Sequence, residues 1–345
     1  MELQLGLDTF GDVTVDASGH PLPHHQVLRD VVEQAVLADQ VGLDVFNVGE
    51  HHRDDYAISA PDVVLAAIAS RTEQITLGTA VTVLSSDDPI RVYERFATLD
   101  ALSSGRAEVT LGRGSFTESF PLFGLELSDY EILFEEKLRL FASLRSEEAV
   151  SFEGRTRRPL PPTHVHPKTA AGQLPAWVGV GGSPESVVRA ARYGFPLMLA
   201  IIGGAPQRFA PFAELYRRAL DELGRPQQPV GAHCPGYVAE TDEEARDALF
   251  PHFKANRDRI GRERGWGEVT RDQFEAEADH GALFVGSPDT VARKVADAVG
   301  ALGLSRFDLK YSNGPMPHAQ LMECIRLFGT EVAPRVRRLL AADAG

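Results

Sequence analysis

The stretch Leu43-Asp-Val-Phe-Asn-Val-Gly-Glu-His-His52 is an apolar run that ends in one carboxylate and two imidazoles. Its valines and Phe46 suit a buried, pleated surface, so the run reads as a strand over residues 43–48 with Glu50, His51 and His52 at its C-terminal tip. An amphipathic stretch precedes it, residues 26–41. There Val27, Val31, Ala35 and Ala38 share one face at helical spacing, and Arg29, Asp30 and Glu33 lie opposite. A second helical stretch follows at 62–71. Helix, strand, helix is the unit of a parallel α/β architecture, and in a barrel of such units the C-terminal strand tips form the open face where reacting groups collect.

Working outward, the same alternation runs from end to end. Strands are expected at residues 3–8, 75–84, 107–111, 176–180, 197–202, 230–239 and 306–311. Helices are expected at 90–102, 130–144, 185–193, 208–223, 242–260, 290–302 and 319–340. About eight strand–helix units make a (β/α)8 TIM barrel, whereas a doubly wound sheet would advertise a Gly-x-Gly-x-x-Gly turn after its first strand. None follows residue 8, where the chain continues Thr9-Phe-Gly-Asp-Val-Thr-Val-Asp16. A barrel takes roughly 250 residues, so the 345 here leave room for insertions. These fall near 115–130, 151–174 and 242–283, and the chain reads as one domain over 1–345.

Composition narrows the function. The net charge of −14 and a pI near 5.3 argue against a nucleic-acid partner, which would need a basic surface. The longest apolar runs fall short of the roughly 20 residues of a membrane helix. The N-terminus lacks the basic flank and apolar core of a signal peptide. The two cysteines, Cys234 and Cys324, are far apart and in no metal-ligand spacing, as suits a reducing, cytoplasmic location.

Three segments carry chemistry. Histidine at a barrel strand tip is placed for proton transfer near neutral pH, so His51 and His52 are the candidate catalytic groups. Two alternatives stand beside this: a solvated turn with Arg53, Asp54 and Asp55, or a metal site joining His51 and His52 to Asp54 or Asp55 and to His164-x-His166. Gly112-Arg113-Gly114-Ser115 follows a strand, and such glycines let backbone amides approach an anion while Arg113 adds charge and Ser115 a hydroxyl. Val180-Gly181-Gly182-Ser183-Pro184-Glu185 is a strand, a glycine turn, an N-cap serine and a proline at the first helical position, which presents free amides to a phosphate. Ordinary capping explains the similar Val285-Gly-Ser-Pro-Asp289. Small residues at Gly78 and Ala80 relieve packing or make room for a flat ring.

In combination, Gly49-Glu-His-His52, Leu77-Gly-Thr-Ala-Val81, Asp88-Pro-Ile-Arg91, Leu102-Ser-Ser-Gly-Arg106, Gly112-Arg-Gly-Ser115, Phe120-Pro-Leu-Phe-Gly124 and residues 178–183 resemble the bacterial luciferase-like family of flavin-dependent oxidoreductases. The resemblance implies a (β/α)8 barrel that binds reduced FMN at its C-terminal mouth and uses O2 on a small organic substrate. It also implies a flavin reductase that supplies the reduced FMN, and a homodimer. On this resemblance Glu50 lies beside the isoalloxazine, His51 is the acid/base group and His52 supports it. Ala80–Val81 matches a non-proline cis peptide beneath the ring. Arg113 and Ser115 match phosphate contacts, Gly181, Gly182 and Ser183 a second phosphate loop, and Ile201 the place of a tryptophan next to the flavin. Gly112 stands where luciferase has a reactive cysteine, and Glu131 near a second phosphate arginine, so neither light emission nor aldehyde specificity is implied. Within the fold, hydride transfer with a deazaflavin is the alternative. Outside it stand a metal-dependent hydrolase and a non-catalytic flavin-binding protein.

Overall fold

The computed structural model describes residues 2–16, 18–114 and 116–343. Its strands are β1 (Gln4–Thr9), β2 (Val45–Val48), β3 (Thr76–Thr79), β4 (Thr82–Val83), β5 (Val109–Gly112), β6 (Val150–Phe152), β7 (Leu160–Thr163), β8 (Ala176–Val180), β9 (Leu197–Ala200), β10 (Val230–Val238), β11 (Phe284–Gly286) and β12 (Arg306–Lys310). The parallel sheet runs β3-β2-β1-β12-β10-β9-β8-β5-β4, and β11 extends it beside the far end of β10. β3 and β4 are two halves of one stave, parted at the Ala80–Val81 peptide, which is cis. A parallel bridge between Leu77 and Ala107 closes the ring, so the nine strands of that order form the eight staves of a TIM barrel.

Alternation along each strand sorts the side chains. Leu5, Leu7, Phe46, Val48, Val109, Leu111, Leu197, Leu199, Phe307 and Leu309 are fully buried with the surrounding helices in one hydrophobic core. The other face of the strands points into the barrel and is polar. At its floor Arg306 donates to both oxygens of Glu108 and to Gln4, Trp177 Nε1 donates to Glu108 at 3.2 Å, and the guanidinium lies 4.4 Å from the Trp177 ring centroid. Apolar burial thus holds the shell, and a hydrogen-bonded ion pair fills the base of the barrel.

Helix boundaries follow local chemistry. Helix Pro184–Tyr193 starts with Ser183 accepting the Ser186 amide and ends at Gly194 in the left-handed region, φ 68°. Helix Asp242–Arg264 begins with a capping box of Thr241 and Glu244.

Each expected insertion carries its own structure. Residues 151–174, expected as an insertion, contain strand β7, which pairs antiparallel with β6. Residues 242–283 hold two helices, Asp242–Arg264 and Arg271–His280, the second too short and polar to stand out by periodicity. The expected terminal helix divides at a π turn, Phe328–Val332. Among the described residues no helix is long and apolar enough to cross a membrane.

Candidate active site

A cavity of about 440 Å³ opens at the C-terminal ends of the staves. One wall comes from β2 to β8. Glu50, His51 and His52 follow β2, Ala80 and Val81 bridge β3 and β4, and Gly112, Arg113 and Gly114 continue β5. The opposite wall comes from β10 and β12, with His233, Pro235, Asp308, Lys310 and Asn313. Phe253, Asn256, Arg257, Ile260 and Arg264 of helix Asp242–Arg264, with Trp266 just beyond it, also line the cavity.

The three residues at the β2 tip separate into two pairs. Glu50 accepts the Val83 amide at 2.8 Å with one oxygen and meets His52 Nε2 at 2.9 Å with the other. That bond to Glu50 outweighs burial and raises the His52 pKa. His51 turns the other way, as alternation requires, with Nδ1 3.4 Å from Glu118. Burial pushes the Glu118 carboxyl up, but His51 and the backbone N–H groups of Glu118 and His52 together hold it below the usual range. The His51 ring stacks on Tyr56 at 4.6 Å and meets Phe10 and Phe116 edge-on at 4.9 and 5.2 Å. His51 is therefore fixed by rings on three sides while its ring borders the cavity.

Arg113 stands at the end of β5, where it pairs with Glu131 and donates to Ser186 Oγ at 3.3 Å. Glu131 also accepts from Arg189, on the helix that Ser183 caps. Tyr130 donates to the Gly114 carbonyl at 2.9 Å and lies under the Arg113 guanidinium. Arg113, Ser186 and Gly181 line one end of the cavity, beside a helix N-terminus suited to an anion. Gly182 and Ser183 do not line it, and Ser186, whose amide Ser183 accepts, does. Ser115 lies outside the described residues.

Ile201 is displaced from its expected role. It is fully buried in the hydrophobic core, and the neighbours that line the cavity are Met198, Ala200 and Ile202. Side chains alternate at period two, so the cavity register passes through even numbers on this stave and residue 201 faces the helices.

Sequence reasoning missed the β10–β12 wall. His233 Nδ1 lies 2.6 Å from Asp8 Oδ2, Asn47 donates to Asp308 at 3.0 Å, and Lys310 pairs with Asp12 at 3.1 Å. Complete burial pushes the Asp308 carboxyl up to about 7. The signal was present as charged or polar residues at alternate positions of apolar strands: Arg306, Asp308 and Lys310 in β12, and His233 in β10.

Over the mouth, Arg53 donates to Glu263 at 2.7 and 2.8 Å and to Asp55 at 2.9 Å. Arg53 and Arg264 both lie over the Phe116 ring, 4.7 and 4.9 Å from its centroid. This clasp ties the turn after His52 and the insertion after β5 to the end of helix Asp242–Arg264.

The donors expected for a metal do not converge. His164 and His166 are exposed, 6.5 Å apart by ring centroids, and do not line the cavity. Among the described residues, the one set of three close donors is Asp30, Glu33 and His318, away from the cavity lining.

Comparison with known proteins agrees with this fold. The structure of monooxygenase RslO1 from Streptomyces bottropensis aligns over 96% of this chain and 99% of its own, with a TM-score of 0.82 and 26% identity. The oxygenating constituent of 3,6-diketocamphane monooxygenase from Pseudomonas putida, solved with FMN, aligns over 97% and 99% with a TM-score of 0.79 at 20% identity. The coenzyme F420-dependent tetrahydromethanopterin reductase from Methanopyrus kandleri shares the fold at a TM-score of 0.72 and 18% identity, over 97% of this chain and 100% of its own. The family model for luciferase-like monooxygenases matches residues 8–305. The chain belongs to the luciferase-like monooxygenase family.

Proposed function

We propose that this chain is an FMN-dependent monooxygenase that uses reduced FMN and O2 to oxidise a small organic substrate. One observation carries the reading: a wall poor in side chains joined to an end lined by Arg113, Ser186 and a helix N-terminus. The Ala80–Val81 peptide, Gly112, Gly179 and Gly181 form that wall on neighbouring staves. A Cβ at Gly112 would lie 2.4 Å from Val81 Cγ2, so no side chain fits there, and a Cβ at Gly181 would meet nothing within 4 Å. A planar ring fits against such a surface, and Arg113, Ser186 and the N-terminus of helix Pro184–Tyr193 suit its phosphate.

When bound, reduced FMN supplies the electrons that activate O2. The protein's own groups position the ring, exclude water and move protons. His51 is the group suited to proton transfer, because Glu118 orients its Nδ1 and three rings hold its plane. Glu50 is held to the Val83 amide and carries His52, so this pair shapes the cavity edge beside His51. A flavin reductase would supply the cofactor. A homodimer is favoured by exposed apolar residues on two packed helices, Val63 on Pro61–Ala69 and Leu102 on Pro89–Leu102.

The runner-up is hydride transfer with a deazaflavin, favoured by the fold shared with the F420-dependent reductase. Flavin fluorescence titration separates the two: FMN should bind more tightly than the deazaflavin coenzyme, and the reverse order would replace this reading. His51→Ala should leave FMN affinity nearly unchanged while slowing substrate-dependent O2 uptake by about 10²–10⁴-fold. Undiminished uptake would remove His51 from proton transfer. Metal analysis tests the hydrolase alternative, since stoichiometric zinc or manganese in active protein would support it.

A further inference from the structure

Three histidines line the cavity beside carboxylates, and the shortest of these contacts belongs to one that the flavin reading leaves unused. His233 Nδ1 is 2.6 Å from Asp8 Oδ2, against 2.9 Å for His52–Glu50 and 3.4 Å for His51–Glu118. Asp8 is fully buried on β1, and His233 is nearly so on β10. Their partnership depends on β12, which pairs with both strands. A carboxylate on Nδ1 selects the tautomer with its proton on that nitrogen and leaves the Nε2 lone pair free. Nε2 has no protein partner among the described residues, and the ring lines the cavity.

Buried acceptors surround this ring. Asp8 Oδ1, Asp308 Oδ1 and Asn47 Oδ1 are buried acceptors without a protein partner, and Asn47 and Asp308 line the same part of the cavity. Phe10 stacks on His233 at 6.1 Å and separates it from His51. The charged and titratable groups near it are Asp8 on β1, Asp308 and Lys310 on β12, and His51 after β2. Lys310 is already engaged by Asp12. The lining toward the mouth sets the apolar and aromatic Tyr56, Phe253, Ile260 and Trp266 beside Asn256, Arg257 and Arg264.

We propose that His233 and Asp8 form a second proton-transfer pair, which accepts the proton of a weakly acidic hydroxyl, phenolic or enolic, on the substrate. The O–H bond breaks with its electron pair left on oxygen, the proton binds Nε2, and Asp8 balances the imidazolium. The proposal rests on the flavin reading only in assigning the wall poor in side chains to the cofactor and this wall to the substrate. A buried histidine in a cavity that also presents the rings of Tyr56, Phe253 and Trp266 suits a flat ring bearing an ionisable hydroxyl, and loss of that proton makes the ring electron-rich toward an oxidant.

The test uses 4-nitrophenol, whose phenolate is read by visible absorbance, and the full chain. At a fixed pH below the probe's own pKa, bound probe should be ionised about tenfold more than free probe. His233→Gln should abolish the excess, Asp8→Asn should remove most of it, and His51→Gln should keep it. No excess with the wild-type chain, its persistence in His233→Gln or its loss in His51→Gln would overturn the proposal. Imidazole nitrogen NMR of the wild-type chain gives a second test without any variant: the neutral His233 should carry its proton on Nδ1, and a proton on Nε2 overturns the pair. FMN affinity is measured in parallel. Its absence in the wild-type chain would sink the cofactor reading while the probe and NMR results still decide the pair.

Discussion

The two walls of the cavity differ in how they are built. On the β2–β8 side the groups lie in short contiguous segments, Glu50 to His52 and Gly112 to Gly114, although partners such as Val83 and Ser186 come from 33 and 73 residues away. On the β10–β12 side His233, Asp308 and Lys310 pair with side chains at long range. His233 meets Asp8 across 225 residues, Asn47 meets Asp308 across 261, and Lys310 meets Asp12 across 298. The first wall gathers its groups in local motifs, and the second gathers single residues from strands distant in sequence. The difference teaches that one site can be half written in motifs and half in topology.

The largest expected effect strikes at closure itself. Arg306→Met leaves Glu108 as an unpaired charge at the barrel floor, and breaking a buried pair in this way costs roughly 3–5 kcal/mol. Urea denaturation should record that loss, and a change below about 1 kcal/mol would mean that the floor tolerates an unpaired charge.

A smaller pair of substitutions tests the register on β9. Ile201→Ala should destabilise by about 2–5 kcal/mol, as core truncations do. Ile202→Ala, at an exposed cavity edge, should change stability by less than about 0.5 kcal/mol and alter KM for the substrate. Equal losses of stability would erase the distinction between the two faces.

The smallest of the three concerns the local wall. Arg113→Ala should weaken FMN but not riboflavin. A charge-assisted hydrogen bond contributes roughly 1.5–3 kcal/mol, and the low end applies because this guanidinium is partly exposed and shared with Glu131. Equal weakening of both ligands, measured by fluorescence quenching, would take Arg113 out of the phosphate end.

The same contrast explains what the sequence disclosed. Barrel class was legible because helices and strands alternate with clear periodicity, and strand β8 and helix Tyr130–Leu144 fall where expected. The motif residues Glu50, His51, His52, Ala80, Val81, Arg113, Gly114 and Gly181 all line the cavity. Ile201 was misplaced by one position, because the face of a short buried strand depends on register, and an apolar neighbour on each side hides it. Glu118 was missed because its link to His51 spans 67 residues through an insertion. Asp8, His233 and Asp308 form no motif at all, since three strands distant in sequence supply them.

The clasp over the mouth differs from everything beneath it in what holds it. Its ion pair, Arg53 with Glu263, joins residues 210 apart, and the Glu263 side chain is 44% exposed. Dissolved ions reach such a contact and weaken it, with a screening length of about 8 Å at physiological ionic strength, whereas the buried floor is shielded from them. Salt should therefore act on the rate at which ligands enter and leave far more than on the fold. Stopped-flow release of FMN should accelerate with added sodium chloride while the urea midpoint stays nearly constant, and a salt-independent rate would show that the mouth opens elsewhere. With that acceleration the clasp acts as a valve, set by the medium around the molecule and not by the chemistry inside.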